Sequence, residues 1–270
     1  MSNELKVGIA GLGAIGRVLA RKITSGAIPK TTLAGVTSRD AAKAQAFLRE
    51  IGSKAPIVPI EELAAKSDVV VECAPAAVFK EIAIPVLTAG KKFVALSAGQ
   101  LLSHPELVAL AKENGGQVVV PTGALIGFDA VSAAAEGDIQ SVTMITRKPV
   151  SGLMGAPYLV QNGIDISNLK EPLCVFRGSA RQAAMGFPEN VNVAAALSLA
   201  GIGPDRTTIE IWADPNVKRN MHRVVVEADS ARFEMAIENV PSENPKTGRI
   251  TALSVISLLR KMVSPLRVGT

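Results

Sequence analysis

Few residues of this chain have types and spacing that could carry chemistry: a glycine-rich hexapeptide, two histidines, two cysteines and some cations at predicted strand ends. The hexapeptide is Gly11-Leu12-Gly13-Ala14-Ile15-Gly16, a GxGxxG placed directly after an apolar run and directly before a helical pattern. In that setting Gly11 permits a tight turn and Gly13 lets the backbone approach a pyrophosphate. Gly16 lets the helix pack closely on the strand. The helix N-terminus at Ala14 and Ile15 offers free N–H groups to the anion. The implied chemistry is binding of a nicotinamide dinucleotide and hydride transfer. The alternative, a turn that uses glycine for packing alone, implies no ligand.

About twenty residues further on, an NAD-selective site carries Asp or Glu for the ribose 2′-hydroxyl. This chain has Thr37-Ser38-Arg39-Asp40 there. Ser38 and Arg39 suit a 2′-phosphate, because a guanidinium matches phosphate oxygens bidentately. Asp40 reads as the cap of the next helix. The expectation is NADP, or dual use of NAD and NADP with a lean to NADP. Two more loops fall at carboxyl ends of predicted strands, Glu72-Cys73-Ala74-Pro75 and Ser97-Ala98-Gly99. Ala74, Pro75, Ala98 and Gly99 are read as contacts to the nicotinamide half, against the plainer reading of packed turns.

Proton chemistry near neutrality falls most naturally to histidine. His104 precedes Pro105 at a predicted helix start and reads as a solvated loop residue. His222 follows the polar run Asp214 to Asn220 and enters a predicted strand, which suits a catalytic role. Of the cations Arg147 and Lys148, which end a predicted strand, and Lys246, which sits in the loop from Pro241 to Thr247, the first choice for binding an anionic substrate is Lys148. Cys73 and Cys174, about a hundred residues apart without a CxxC or Cys/His spacing, read as small buried residues. No disulfide framework and no metal site is expected. No GxSxG, HExxH or GK[ST] motif supports a hydrolase or a triphosphatase.

These residues need elements to position them. Up to residue 121, short apolar runs (6–10, 32–37, 57–58, 68–73, 92–96, 117–120) alternate with amphipathic helices (14–25, 41–51, 61–66, 76–89, 105–114). Such alternation means βαβ units and a parallel sheet. Past Pro121 the rhythm changes. Longer strands are predicted at 139–147, 207–213, 223–228 and 232–238, the last two joined through Asp229-Ser230 as an antiparallel hairpin. Helices are predicted at 190–200 and 247–262. The fold class is α/β, with an N-terminal Rossmann domain and a second α+β domain that has a mixed or antiparallel sheet. The domains are read as 1–122, with 245–270 packing back on it, and 123–244. Chemistry is expected where the two halves meet.

The second half also carries a series of segments that resembles the L-aspartate dehydrogenase family. In order, they are Pro121-Thr122-Gly123-Ala124, Thr146-Arg147-Lys148-Pro149, the run from Phe187 to Ala194, Ala213-Asp214-Pro215, Arg219-Asn220-Met221-His222 and the run from Pro241 to Thr247. The resemblance spans essentially the whole chain. It implies NAD(P)-dependent oxidation of L-aspartate at Cα, giving iminosuccinate that hydrolyses to oxaloacetate and ammonia, reversibly. It implies His222 as the catalytic residue, and cofactor contact at Ala124 and at one of Asn190 and Asn192. Lys148, Asn220, Lys246 and Thr247 are then expected around a dicarboxylate substrate, and a homodimer through the second sheet. The chain departs from the pattern at Ala231, where a hairpin glycine is expected, and at Gly248, which stands for a serine.

Composition narrows the alternatives. The chain has 270 residues, 48% hydrophobic, 20% charged and only 3% aromatic, which fits a core of Ala, Val, Leu and Ile under helices. The net charge of +5 is mild and scattered, without the basic stripe or stacking aromatics of a nucleic-acid binder. No apolar run reaches the ~18 residues of a membrane span, and residues 1–6 show no signal pattern, so a cytoplasmic location is the default. Two other readings share the fold expectation. One is a related dehydrogenase or isomerase of a sugar acid or other 2-substituted acid; the other is a sensor that binds NAD(P) without turnover.

Overall fold

The computed structural model describes residues 4–188, 191–242 and 248–269. The chain divides into two compact units, one of residues 1–121 with 251–267, the other of residues 122–250 with 268–270.

In the first unit, strands β1 (Leu5–Ala10), β2 (Thr31–Thr37), β3 (Val69–Glu72), β4 (Lys92–Ala95) and β5 (Gln117–Val119) form a parallel sheet in the order β2-β1-β3-β4-β5. Its helices are α1 (Ala14–Thr24), α2 (Ala41–Glu50), α3 (Ile60–Lys66), α4 (Phe79–Thr88), α5 (Gly99–Ser103) and α6 (Glu106–Glu113). The central strands are apolar on both faces because both faces are covered. Val69, Val70 and Val71 of β3 are completely buried, each worth about 1.5–3 kcal/mol over an exposed side chain. One face packs with α3, α4 and α6, the other with α1, α2 and the C-terminal helix. That helix spans Arg249–Val263, and its buried Val255 and Leu259 sit in the same cluster as Val7 and Ile9 of β1.

Two expectations are corrected here. The strand predicted at 57–58 shrinks to a single parallel bridge between Val36 and Ile57. Val36 N–H donates to Pro56 C=O and Val58 N–H to Val36 C=O, but Pro56 and Pro59 lack the N–H groups that would lengthen the ladder. The helix predicted at 76–89 begins with a 3₁₀ turn at Ala76–Val78 before α4, tethered by Val78 N–H to Pro75 C=O.

The second unit contains α7 (Phe128–Ala134), β6 (Ile139–Lys148), α8 (Pro157–Gln161), β7 (Leu173–Ser179), α9 (Ala180–Gly186), α10 (Asn192–Ala200), β8 (Thr207–Ala213), β9 (Asn220–Ala228) and β10 (Arg232–Asn239). The C-terminal helix completes the count as α11. The sheet is mixed, in the order β10-β9-β6-β8-β7, with β6 and β8 parallel and the other neighbours antiparallel. β9 and β10 form the expected hairpin, closed by Ala228 N–H to Ala231 C=O around Asp229-Ser230. Ala231, like Asp229 and Ser230, has no positive φ, so the tight turn needs no glycine there. Strand β7 and helices α7, α8 and α9 are additions to the sequence reading. On the covered face, alternate residues of β6, β8 and β9 (Val142, Met144, Ile209, Ile211, Val224, Val226) pack with the helices and with Phe176 and Phe187. No helix among the described residues is long and apolar enough to cross a membrane.

Candidate active site

The glycine loop lies at the carboxyl end of β1, beside β3, where the strand order of the first sheet reverses. Gly11 has φ +105°, and a Cβ there would lie 2.6 Å from the Cys73 carbonyl oxygen. A Cβ on Gly16 would lie 2.0 Å from the Gly11 carbonyl oxygen, so the first turn of α1 can close on the loop only with glycine. Gly13 differs. The nearest atom to a Cβ there is 3.8 Å away, so nothing among the described residues requires glycine at this position. It is the N-cap of α1, without a side-chain cap, and the first turn of α1 has no acidic residue. The first N–H groups of a helix, here including Ala14 and Ile15, have no intrahelical partner, and this end is left positive and open. A loop tight where it meets protein and open where it meets solvent fits a pyrophosphate.

The neighbouring loops converge on it. Gly11 N–H donates to Thr37 C=O, which brings in the end of β2 with half-buried Ser38 and exposed Arg39. Asp40 caps α2 by accepting from Lys43 N–H at 2.9 Å and pairing with its ammonium at 3.1 Å. That backbone hydrogen bond, first among the causes, lowers its pKa. Cys73 N–H donates to Ala10 C=O, and half-buried Ala74 and exposed Pro75 follow. Ala98 and Gly99, after β4, are buried, Gly99 opening α5. The Cys73 thiol, read from sequence as buried, is half-buried; desolvation, and then the charge of Glu72, push its pKa well up. Cys174 is likewise half-buried, its Sγ–H directed at the Phe176 carbonyl.

The second unit gathers a different set. Sheet register places Thr146 of β6 opposite His222 of β9, 76 residues away in sequence, and Thr146 Oγ1 is hydrogen-bonded to His222 Nδ1. Ile237 of β10 and Ile211 of β8 flank them in the same row. Two residues further along the same strands and on the same face stand Lys148, Asn220 and Asn239. Lys148 and His222 are each only 5% exposed. Desolvation brings the lysine down to a pKa of about 8. Desolvation first, and the Lys148 charge second, push the imidazole down to about 3. The imidazole is therefore neutral across the physiological range. Asn239 donates from Nδ2 to the Ala124 carbonyl at 2.9 Å, tying the Ala124 loop to the end of β10. Beyond Lys148, Asp214 N–H donates to the Lys148 carbonyl, and the buried Asp214 carboxylate pairs with Arg147 at 3.1 Å on its way into a turn.

Thr146, Lys148, Asn220 and His222 are thus brought to one patch, and Ala124 is held at its rim. Asn192 is exposed on the first turn of α10, and Asn190, Lys246 and Thr247 lie outside the described residues. His104 is a partly exposed residue that meets Glu106 at 3.2 Å, beside the Lys80–Glu106 pair. Sequence reading passed over Thr146, although strand parity with Lys148 was a usable signal. It gave no role to Asn239 or to the Glu72 side chain, for which no local pattern existed. Among the described residues no cluster of three or more His, Cys, Asp or Glu is placed to hold a metal.

The fold and these two constellations define a nicotinamide-dependent dehydrogenase, with a Rossmann unit and a mixed-sheet unit carrying a buried histidine and lysine. Two family models match the chain, "Homoserine dehydrogenase, NAD binding domain" over residues 11–121 and "Aspartate dehydrogenase, C-terminal" over residues 129–262. The chain is 58% identical to an L-aspartate dehydrogenase of Bradyrhizobium diazoefficiens over 269 residues, covering 100% of this chain and 95% of that one. It is 55% identical to L-aspartate dehydrogenase 3 of Bordetella bronchiseptica, covering 99% and 98% of the two chains. Among solved structures, the aspartate dehydrogenase of Thermotoga maritima superposes with a TM-score of 0.72 at 25% identity, over 98% of this chain and 100% of that one. A scyllo-inositol dehydrogenase from Lactobacillus casei shares the fold (TM-score 0.55, 14% identity, 97% and 89% covered). The chain belongs to the L-aspartate dehydrogenase family.

Proposed function

We propose that this protein oxidises L-aspartate at Cα with NAD(P), releasing iminosuccinate that hydrolyses to oxaloacetate and ammonia, and that it also runs in reverse. The observation that carries this reading is the buried Lys148 and half-buried Asn220 in the row beside the buried Thr146–His222 pair, in a chain that matches L-aspartate dehydrogenases along its whole length.

The cofactor is held by Gly11, Gly13, Ala14, Ile15 and Gly16 at its pyrophosphate, and by Ser38 and Arg39 at the adenosine ribose. Ala74, Pro75, Ala98, Gly99 and Ala124, with Asn190 or Asn192, surround the nicotinamide end. When bound, the oxidised nicotinamide supplies the hydride acceptor. The exposed Arg39 and the engagement of Asp40 as a helix cap favour NADP over NAD.

The chain's own residues do the rest. Lys148 and Asn220, with Lys246 and Thr247, bind the substrate carboxylates, the ammonium of Lys148 supplying the charge. His222 donates its Nδ1–H to Thr146 Oγ1, which leaves Nε2 to accept a proton from the substrate ammonium, pass it to solvent, and then accept a second from the water that attacks the imine. A pKa of about 3 makes a weak base, but one of its two causes is the Lys148 charge. Two substrate carboxylates beside that ammonium neutralise it and raise the basicity of the imidazole when substrate is present. The outer face of the second sheet, with Ile145, Trp212 and Val225, is the surface on which we place a homodimer.

The test is oxaloacetate plus ammonia with NADH and NADPH in parallel, followed at the nicotinamide absorbance. Ammonia-dependent oxidation of either cofactor is expected. Oxidation that ignores ammonia, or that prefers a monocarboxylic 2-oxo acid, overturns the reading.

A further inference from the structure

Glu72 is a carboxylate the proposed reaction does not use, yet it is 1% exposed at the carboxyl end of β3. Its Oε1 accepts from Ala74 N–H at 3.1 Å and from the Ser97 hydroxyl at 3.2 Å, and its Oε2 accepts from Ser97 N–H at 2.8 Å. These donors belong to two different loops, one after β3 and one after β4. The strands are already joined by their own ladder, from Val69↔Lys92 to Glu72↔Ala95, so sheet pairing needs no further tie there. Burying a carboxylate is costly, and an apolar pair of similar volume usually holds a core as well or better. What three charge-assisted bonds add is a fixed geometry for peptides 74 and 97 where the ladder ends.

We propose that Glu72 is the positioning residue of the nicotinamide end of the cofactor site, holding the Ala74–Pro75 and Ser97–Gly99 loops in one fixed arrangement. This rests on the reading that those loops face the nicotinamide half. Glu72 touches no ligand itself; it acts through the two peptides. Gly11 packs on the Cys73–Ala74 peptide, but the pyrophosphate loop also has ties that do not involve Glu72, Gly11 N–H to Thr37 C=O and Gly16 closed against the Gly11 carbonyl. Loss of the carboxylate therefore loosens one end of the site and leaves the other.

Glu72→Gln keeps the volume but turns one acceptor into a donor facing an N–H group, so at most two of the three donors stay satisfied. Binding of NADH and NADPH is to be measured alongside ADP-ribose and its 2′-phosphate, which lack the nicotinamide. The variant is expected to bind the full cofactors at least about tenfold more weakly, the scale of one buried bond to a charged group, while the fragments bind within about twofold of the parent. Ser97→Ala removes one donor without the mismatch and should show a smaller loss with the same selectivity, which keeps the test available if the glutamine variant does not fold. Equal weakening of cofactors and fragments would assign Glu72 to the whole domain and overturn the proposal, as would unchanged binding of both. A parent protein that binds fragments as tightly as full cofactors would instead refute the placement of these loops at the nicotinamide, and the inference with it.

Discussion

Replacing Lys148 with methionine should make this protein more stable and less active. The lysine is buried, and desolvation lowers its pKa from 10.5 to about 8. That difference of roughly 2.5 pH units, at ~1.4 kcal/mol per unit, means the folded state at neutral pH carries a penalty of roughly 3.5 kcal/mol for keeping this amine charged. Methionine has similar length and volume, so the packing is retained and the charge removed. The sign follows from proton binding. Between the folded and unfolded pKa values the unfolded chain holds more protons, so the parent gains stability as pH rises through that window. The penalty is therefore complete below about pH 8 and gone above about pH 10.5. Urea unfolding of parent and variant at pH 7 and at pH 10.5 measures it. A gain of roughly 2–3 kcal/mol is expected at pH 7 with a shared m value, shrinking toward zero at the higher pH. Turnover should move oppositely, with kcat/KM for the dicarboxylate falling by about 10²-fold as the cation facing its carboxylate is lost. A methionine variant less stable than the parent at pH 7, or a gain that does not shrink with pH, would refute the claim that Lys148 is held at a cost for its charge.

Four other substitutions test the remaining parts. His222→Asn should lower kcat by ~10²–10⁴-fold in steady-state assays with NAD(P)H affinity retained, and near-normal turnover would assign the proton to another group. The same variant should resist acid better. The imidazole pKa is about 3 folded against an ordinary 6.5, so the parent loses stability as pH falls through that window, by roughly 5 kcal/mol in full, and the variant is spared this share. Gly13→Val should leave the thermal transition nearly unchanged but abolish NAD(P)H binding, whereas Gly16→Ala, its Cβ set against the Gly11 carbonyl, should destabilise the fold itself; equal behaviour of the two would remove the distinction drawn between them. Arg39→Ala should weaken NADPH by ~1.5–3 kcal/mol in a binding titration and leave NADH nearly unaffected, and equal losses would take Arg39 out of the ribose site.

The sequence by itself determined the first unit almost completely. Runs such as the valines of β3 are buried on both faces, the amphipathic helices between them have a local period, and GxGxxG at a strand–helix junction has a physical reason at each glycine. His222 and Lys148 could be singled out because histidine is scarce here and a charge ending an apolar strand is conspicuous. What only the tertiary structure decided is everything set by register between distant strands. The pairing of β6 with β8 and β9 puts Thr146 on His222 and Lys148 in the adjoining row, and no local pattern announces it. Strand β7 escaped because a bulge between Cys174 and Phe176 breaks its alternation, and residues 57–58 were overread because flanking prolines deny them a ladder. The low pKa values of His222 and Lys148 and the three donors around Glu72 belong to the same class. Desolvation and hydrogen bonding are properties of a packed environment, and that environment is assembled from residues that the sequence keeps far apart.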